Sequence, residues 1–126
     1  MEFAGGCYCG AVRYRATQEP LYQTTCHCDN CRRAAGAQAV AFITVPAKSF
    51  AFTTGEPTAF RTDTAATRTF CGRCGTSLTY VGDNRSQEVD IHTATLADPE
   101  AFPPTRDVFP EEKLSWVALS APAPLS

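Results

Sequence analysis

The residues best suited to chemistry are three cysteines that fall within six positions, Cys26, Cys28 and Cys31, with His27 between the first two. Four more cysteines form two pairs, one on each side of this run: Cys7, Cys9, Cys71 and Cys74. Thiolates are preferred ligands of zinc in proteins. Because an odd number of cysteines cannot all pair in intramolecular disulfides, the seven cysteines predict metal binding.

The spacing favours a division of the cysteines into a group of four and a group of three. In Cys71-Gly72-Arg73-Cys74 a two-residue spacer lets a tight glycine turn present both sulfurs to one ion. The pair at positions 7 and 9, surrounded by glycines, offers the other half of a closed four-cysteine site. The central run then has three ligands and an open fourth position, which is the pattern of catalytic zinc. We therefore predict two zinc ions per chain.

Other divisions remain open from the spacing alone. The central run and the pair at positions 71 and 74 could form one closed site, leaving Cys7 and Cys9 as plain thiols. His27 or His92 could also supply a fourth ligand and close the central site.

Polar neighbours of the central run are further candidates. His27 could carry a proton because the unperturbed pKa of histidine lies near neutrality; the alternative is a packed residue beside the ligands. Arg32 and Arg33 could bind carboxylates of a thiol substrate, since guanidinium groups match carboxylates; the alternative is a solvated helical turn. We expect a structural or surface role for His92, which lies on a predicted strand without a ligand-spaced partner.

Short stretches of high β-propensity, separated by turn residues, predict a mainly-β fold. A helical turn is expected at 32–35, ended by Gly36, and another at 98–102. Apolar patches at 108–109 and 116–119 are expected to cap the core. The predicted strands are 12–15, 21–25, 37–45, 50–53, 58–61, 67–70, 77–81 and 88–93.

The length and charge of the chain limit its organisation and partners. Its 126 residues suit one domain, predicted at 1–119, followed by a flexible Pro/Ala/Ser-rich tail at 120–126. Eleven basic and thirteen acidic residues provide no electrostatic reason to expect nucleic-acid or membrane binding. The first six residues lack the features of a signal peptide, and the apolar run at 37–45 is too short to span a bilayer. We therefore expect a cytoplasmic protein.

Three segments occur in the order of a known family's motifs. Residues 5–14 (GGCYCGAVRY), 26–32 (CHCDNCR) and 70–76 (FCGRCGT) resemble the motifs of the glutathione-dependent formaldehyde-activating enzyme family, which includes the centromere protein V domain. A weaker resemblance continues at 95–99 and 113–117, so that it covers nearly the whole chain. One departure is Ala94, where many relatives have glycine.

The resemblance implies a mainly-β fold of the type called a β-tent. It implies a structural zinc on Cys7, Cys9, Cys71 and Cys74, and a catalytic zinc on Cys26, Cys28 and Cys31. The activity that it implies is carbon–sulfur lyase chemistry, with glutathione or a similar thiol adding to formaldehyde or another small aldehyde to give an S-hydroxymethyl adduct.

The partners expected on this basis are a small-molecule thiol and an aldehyde, and a homo-oligomer is compatible with the sequence. The alternative function is a zinc-stabilised carrier or protein-binding module without turnover.

Overall fold

The structure is a computed structural model that describes residues 2–120. Within these residues it contains ten strands, one α-helix and five short 3₁₀ turns, which confirms the mainly-β prediction. The helix α1 spans Asp29–Ala35. The strands are β1 (Phe3–Gly6), β2 (Arg13–Ala16), β3 (Tyr22–Cys26), β4 (Val40–Pro46), β5 (Phe50–Thr54), β6 (Thr58–Arg61), β7 (Ala66–Phe70), β8 (Ser77–Gly82), β9 (Glu88–His92) and β10 (Arg106–Val108).

The strands form two sheets. The smaller sheet has the order β1-β2-β5, and the larger has the order β10-β3-β4-β9-β8-β7-β6. Neighbouring strands are antiparallel except β10, which pairs with β3 in parallel. This parallel pairing brings a late segment of the chain beside the strand that leads into the central cysteine run.

The main core lies where the smaller sheet packs against the larger one. Tyr14 of β2 is almost fully buried, as are Ile43 of β4 and Ile91 of β9. A second, smaller apolar cluster contains Phe42 together with two of the central cysteines. Strand β4 thus contributes side chains to both clusters, which is the physical reason for its nearly continuous apolar sequence.

The helix is longer than the predicted turn at 32–35 because it begins at Asp29. The Sγ atom of Cys28 accepts a hydrogen bond from the Cys31 amide at 3.3 Å and so caps the helix. Its end is as predicted: Gly36 has a φ of 63°, a left-handed conformation that glycine adopts without strain. The predicted turn at 98–102 is a 3₁₀ turn over Pro99–Ala101.

The expectation that the late apolar patches cap the core was largely wrong. Trp116 is 72% exposed and Phe109 is 48% exposed, whereas Val108 packs against the smaller apolar cluster. The main core is instead covered by Phe102, which is buried and lies 5.0 Å from the Phe3 ring.

The predicted tail at 120–126 lies outside the described residues except for Ser120. The Ser120 hydroxyl lies 2.5 Å from that of Thr25, so this residue contacts the strand before the central cysteines. In the part of the chain that the structure describes, no helix has the length and apolar character needed to cross a bilayer.

Candidate metal centres and the adjoining cavity

Two groups of cysteine sulfurs are close enough to hold a metal ion. One contains Cys7, Cys9, Cys71 and Cys74, and the other contains Cys26, Cys28 and Cys31. Within each group all the sulfurs lie within 4.8 Å of one another. Neither histidine belongs to either group, and all seven cysteines are free thiols.

The four-cysteine group joins the two sheets. Its first pair lies in the turn between β1 and β2, and its second pair lies in the loop between β7 and β8. Gly75 has a φ of 84° and donates its amide to the Cys71 carbonyl at 2.8 Å, closing the second turn. The Val12 amide donates to Cys7 Sγ at 3.2 Å, a contact that orients and stabilises a thiolate. A metal ion here would tie the sheets together.

The sulfur spacing fits tetrahedral zinc. A Zn–S bond of about 2.3 Å places two ligands of a tetrahedron about 3.8 Å apart. The Cys7–Cys9 and Cys9–Cys71 sulfur distances are 3.7 and 3.8 Å. In the central group the Cys26–Cys31 sulfur distance is shorter, 3.4 Å. An all-thiolate donor set at these separations is suited to zinc.

The three central cysteines come from a strand end and a helix start. Cys26 is the last residue of β3, Cys28 caps α1, and Cys31 lies in the first turn of that helix. Cys26 and Cys31 are buried, whereas Cys28 is half-buried. All three line a cavity of about 880 Å³ on the outer side of the larger sheet. The group therefore has sulfur ligands on one side and open space on the other.

Charge in this group concentrates on Cys31. A hydrogen bond from Cys26 and the neighbouring guanidinium of Arg68 lower the pKa of the Cys31 thiol to about 6. The same contact with Cys31, together with burial, raises the pKa of the Cys26 thiol. The protein environment thus already favours a thiolate at Cys31.

His27 is fully buried and turned toward the C-terminal part of the chain. Its Nε2 atom lies 2.7 Å from Oδ1 of Asp107, whose side chain is only 6% exposed. Nδ1 is buried with no hydrogen-bond partner among the described residues. The Ser120 amide also donates to Asp107 Oδ1, at 3.0 Å. This pair fixes the loop between Cys26 and Cys28 against β10, and His27 as a proton carrier stays a prediction.

His92 lies at the end of β9, where its ring is 4.7 Å from that of Phe42 in an edge-on arrangement. It lines a second cavity of about 480 Å³. Burial lowers the pKa of His92 to about 4, with a smaller contribution from the positive charge of Arg68. The ring is therefore uncharged near neutral pH, a state that suits a packed strand residue.

We predict that His92 makes the folded protein less stable in mild acid, because its imidazole takes up a proton more readily in the unfolded chain. Since its folded pKa is about 4 and its ordinary pKa is 6.5, the unfolded chain binds the proton first as pH falls below about 6.5. Lowering the pH from 7.5 to 5.5 should therefore reduce wild-type stability relative to His92→Gln by about 1 kcal/mol. Urea unfolding of both proteins at each pH measures this difference. Any metal released in acid would affect both proteins equally, so it cancels when their stabilities are subtracted. A pH-independent difference would contradict the prediction.

The arginines predicted to bind substrate do not line either cavity. Arg33 is 80% exposed and donates to Asp29 at 2.8 Å, and Arg32 donates from Nε to the His27 carbonyl at 3.2 Å. Both contacts stabilise the first turn of α1. A role of these residues in binding substrate carboxylates stays a prediction.

Arg68 and Asp107 contact the central run, and sequence reasoning missed both. Arg68 donates from Nη2 to Cys31 Sγ at 3.6 Å, and its guanidinium lies 4.7 Å from the centre of the Tyr80 ring. Strand alternation could have shown that Arg68 shares a face of β7 with Phe70. Strand alternation could not show which other parts of the chain that face meets in the folded protein.

Comparison with known proteins identifies the relatives of this chain. A model of the family described as glutathione-dependent formaldehyde-activating enzyme matches residues 2–112. The chain belongs to this family. A Halomonas elongata protein provisionally named as such an enzyme is 30% identical over 131 residues, covering 96% of this chain and 83% of the relative. The family assignment agrees with the order of the three cysteine motifs.

Two further similarities agree with the family and its fold. A Schizosaccharomyces pombe protein named an uncharacterized lyase is 31% identical over 85 residues, which is 66% of this chain and 60% of that protein. The crystal structure of a Rhodobacter sphaeroides protein superposes with a TM-score of 0.67 at 23% identity, covering 83% of this chain and 99% of the other. This structural likeness concerns the fold alone. The family and the lyase name support a formaldehyde-activating or lyase-type function for the chain.

Proposed function

We propose that this protein is a zinc-dependent carbon–sulfur lyase that joins a small thiol, such as glutathione, to formaldehyde or another small aldehyde. The observation that carries the proposal is the central group of three sulfurs, which has no fourth ligand among residues 2–120 and faces a cavity of about 880 Å³. A closed structural site would have four protein ligands and no room for substrate.

In this proposal some residues of the chain bind the metal and others hold the site in shape. Zinc bound by Cys26, Cys28 and Cys31 would supply a Lewis acid that favours the thiolate form of an incoming thiol. The hydrogen bond from the Cys31 amide orients the sulfur of Cys28. The His27–Asp107 pair holds the loop between Cys26 and Cys28 in place. A second zinc on the four-cysteine group would have a structural role.

The reaction follows from this arrangement. A carbon–sulfur bond forms between the thiol sulfur and the aldehyde carbon, while the carbon–oxygen double bond becomes a single bond. The thiol loses its proton and the former aldehyde oxygen gains one, so the sum is one thiol plus one aldehyde giving one hemithioacetal. The cavity beside the cysteines would hold both reactants close together, which lowers the entropic part of the barrier.

We expect purified protein to contain about two zinc ions per chain and to accelerate hemithioacetal formation from glutathione and formaldehyde over buffer. Metal analysis by mass spectrometry gives the first quantity. Exchange spectroscopy by nuclear magnetic resonance at equilibrium gives the second, because it reports the rate of interconversion directly. Saturable glutathione binding without a rate gain would favour a thiol carrier and contradict the enzymatic proposal.

A further inference from the structure

We propose that Arg68 is a further catalytic residue, which binds the aldehyde oxygen as that oxygen becomes negatively charged. This inference rests on the proposed function of the central cysteine group. Arg68 is not one of the sulfur ligands of either cysteine group and lies outside the three cysteine motifs, so its role would add to that of the metal.

Arg68 is a cation in direct contact with the central cysteine group. Its Nη2 atom is 3.6 Å from Cys31 Sγ, one of the three sulfurs of the central group. The guanidinium has five N–H donors, and in the structure one of them is used on this sulfur. Stacking on Tyr80 holds the guanidinium plane in a defined orientation. Arg68 makes no ion pair with a carboxylate among residues 2–120.

Arg68 also lies where the two cavities meet. Asn30, Thr64 and Arg68 line both the cavity beside the cysteines and the second cavity that contains His92. Arg68 is the arginine or lysine common to both linings. The lining of the second cavity includes the rings of Phe60 and Phe70, an uncharged His92 and the acidic Asp63. Arg68 is the cationic residue of this lining, so an anion at the junction has Arg68 as its cationic neighbour from that side.

Other arginines of the cysteine-lined cavity are less suited to this role. Arg85 is already bonded to the Asp90 carboxylate at 3.1 Å and lies near Glu88. Arg106 stacks on Tyr22 and pairs with Thr24, two residues before Cys26, which places it roughly 7 Å along the strand from that cysteine. Arg106 is therefore better placed for a distant group of the thiol than for the reacting oxygen.

The chemistry needs a cation at this position. When the thiolate sulfur bonds to the aldehyde carbon, the π electron pair moves onto oxygen, which carries a full negative charge until it takes a proton. Donors fixed in advance around such an oxygen stabilise the transition state more than the substrate. An arginine guanidinium donates hydrogen bonds and gives up no proton, so Arg68 binds the anion. Water gives the oxygen its proton, and the proton released by the thiol restores that water.

The test separates anion binding from turnover by using two glutathione derivatives. Glutathione sulfonate places negative oxygens at the sulfur position, whereas S-methylglutathione has the same backbone with no charge there. Calorimetry on zinc-loaded wild type, Arg68→Met and Arg68→Lys gives each affinity. We expect Arg68→Met to weaken sulfonate binding by roughly 10–100-fold and S-methylglutathione binding by less than about twofold. Arg68→Lys should retain part of the preference.

Turnover is measured on the same proteins. Arg68→Met should lower kcat by about 100-fold with little change in KM for glutathione, and added guanidinium should restore part of the rate. The matched control is Arg61→Met on the neighbouring strand, because Arg61 is exposed, pairs with Asp83 and lines neither cavity. This control should leave both binding and turnover unchanged.

Each outcome decides one question. Equal sulfonate affinity of wild type and Arg68→Met, or no preference of the wild type for the sulfonate, would overturn the role of Arg68. An inactive wild type would overturn the proposed function, and the binding measurements would still decide whether Arg68 binds an anion at this position. If Arg68→Met fails to fold, Arg68→Gln takes its place, and equal affinity of Arg68→Gln and the wild type for the sulfonate would overturn the inference.

Discussion

Replacing Cys71 with serine is expected to leave the chain without a stable fold. Cys71 is 1% exposed, and its sulfur accepts hydrogen bonds from the amides of Arg73 and Cys74 at 3.4 Å. It lies 3.8 Å from the sulfur of Cys9, a residue 62 positions away. The substitution would remove a ligand from the group that joins the smaller sheet to the larger one.

The expected size follows from loop closure and metal affinity. By analogy with a disulfide, tying a loop of this length removes roughly 4 kcal/mol of unfolded-state freedom. Structural zinc binds small zinc domains with an apparent free energy of about 10–16 kcal/mol, which is as large as the total stability of about 5–15 kcal/mol of a domain of this size. Loss of the metal is therefore expected to unfold the chain. Circular dichroism and metal analysis of the soluble fraction measure the outcome. Exposed Arg73 lies in the same turn and is not a ligand, so Arg73→Ala is the matched control.

A soluble Cys71→Ser protein with native circular dichroism and unchanged zinc content would contradict the structural role. Chelation offers an independent arm, because prolonged treatment of the wild type with a strong chelator should cause the same loss of structure. Unfolding of the variant together with a chelator-resistant wild type would indicate a packing defect instead.

Replacing Cys28 with serine is expected to abolish activity, remove about one zinc per chain and spare the fold. The fold should survive because Cys28 caps α1 through its side chain, and serine is among the best residues for that position. The metal should be lost because a serine hydroxyl is a poor replacement for a thiolate ligand. Because the metal contributes several kcal/mol to transition-state stabilisation, we expect activity to fall by roughly 100-fold or more.

Metal analysis, thermal unfolding and the exchange-spectroscopy rate should be measured on the same preparation. Ala37→Ser provides the control, since Ala37 is exposed, follows the helix and contributes no ligand. Retention of both zinc ions by Cys28→Ser would overturn the assignment of Cys28 as a ligand. Loss of the zinc with full activity would show that the central group is not the site of the reaction.

The contrast between the two substitutions comes from what each group connects. The four-cysteine group links segments more than 60 residues apart, so a metal bound there would limit the freedom of the unfolded chain. The three central cysteines lie in one segment of six residues that joins the end of β3 to the start of α1. Closing so short a loop contributes little to the stability of the fold. Its sulfurs border a cavity instead, which fits a role in chemistry rather than in stability.

Much of this protein could be predicted from its sequence, because the deciding interactions are local. Alternating and apolar runs bounded by turn residues predicted most of the strands, since strand character depends on neighbouring residues. The three central cysteines could be grouped because their spacing keeps their sulfurs together in almost any compact conformation. The start of α1 was placed too late because its capping residue is Cys28, and cysteine is uncommon at that position.

Only the tertiary structure decided which distant residues surround the central cysteines. Arg68 contacts a cysteine 37 positions earlier because β7 belongs to the same sheet as β3, the strand that precedes the central cysteines. Asp107 meets His27 across 80 positions because β10 pairs with β3 in parallel. Strand order depends on the packing of the whole chain, and local periodicity carries no information about it. The two cysteine groups could therefore be found in the sequence, whereas the charged residues beside the central group required the fold.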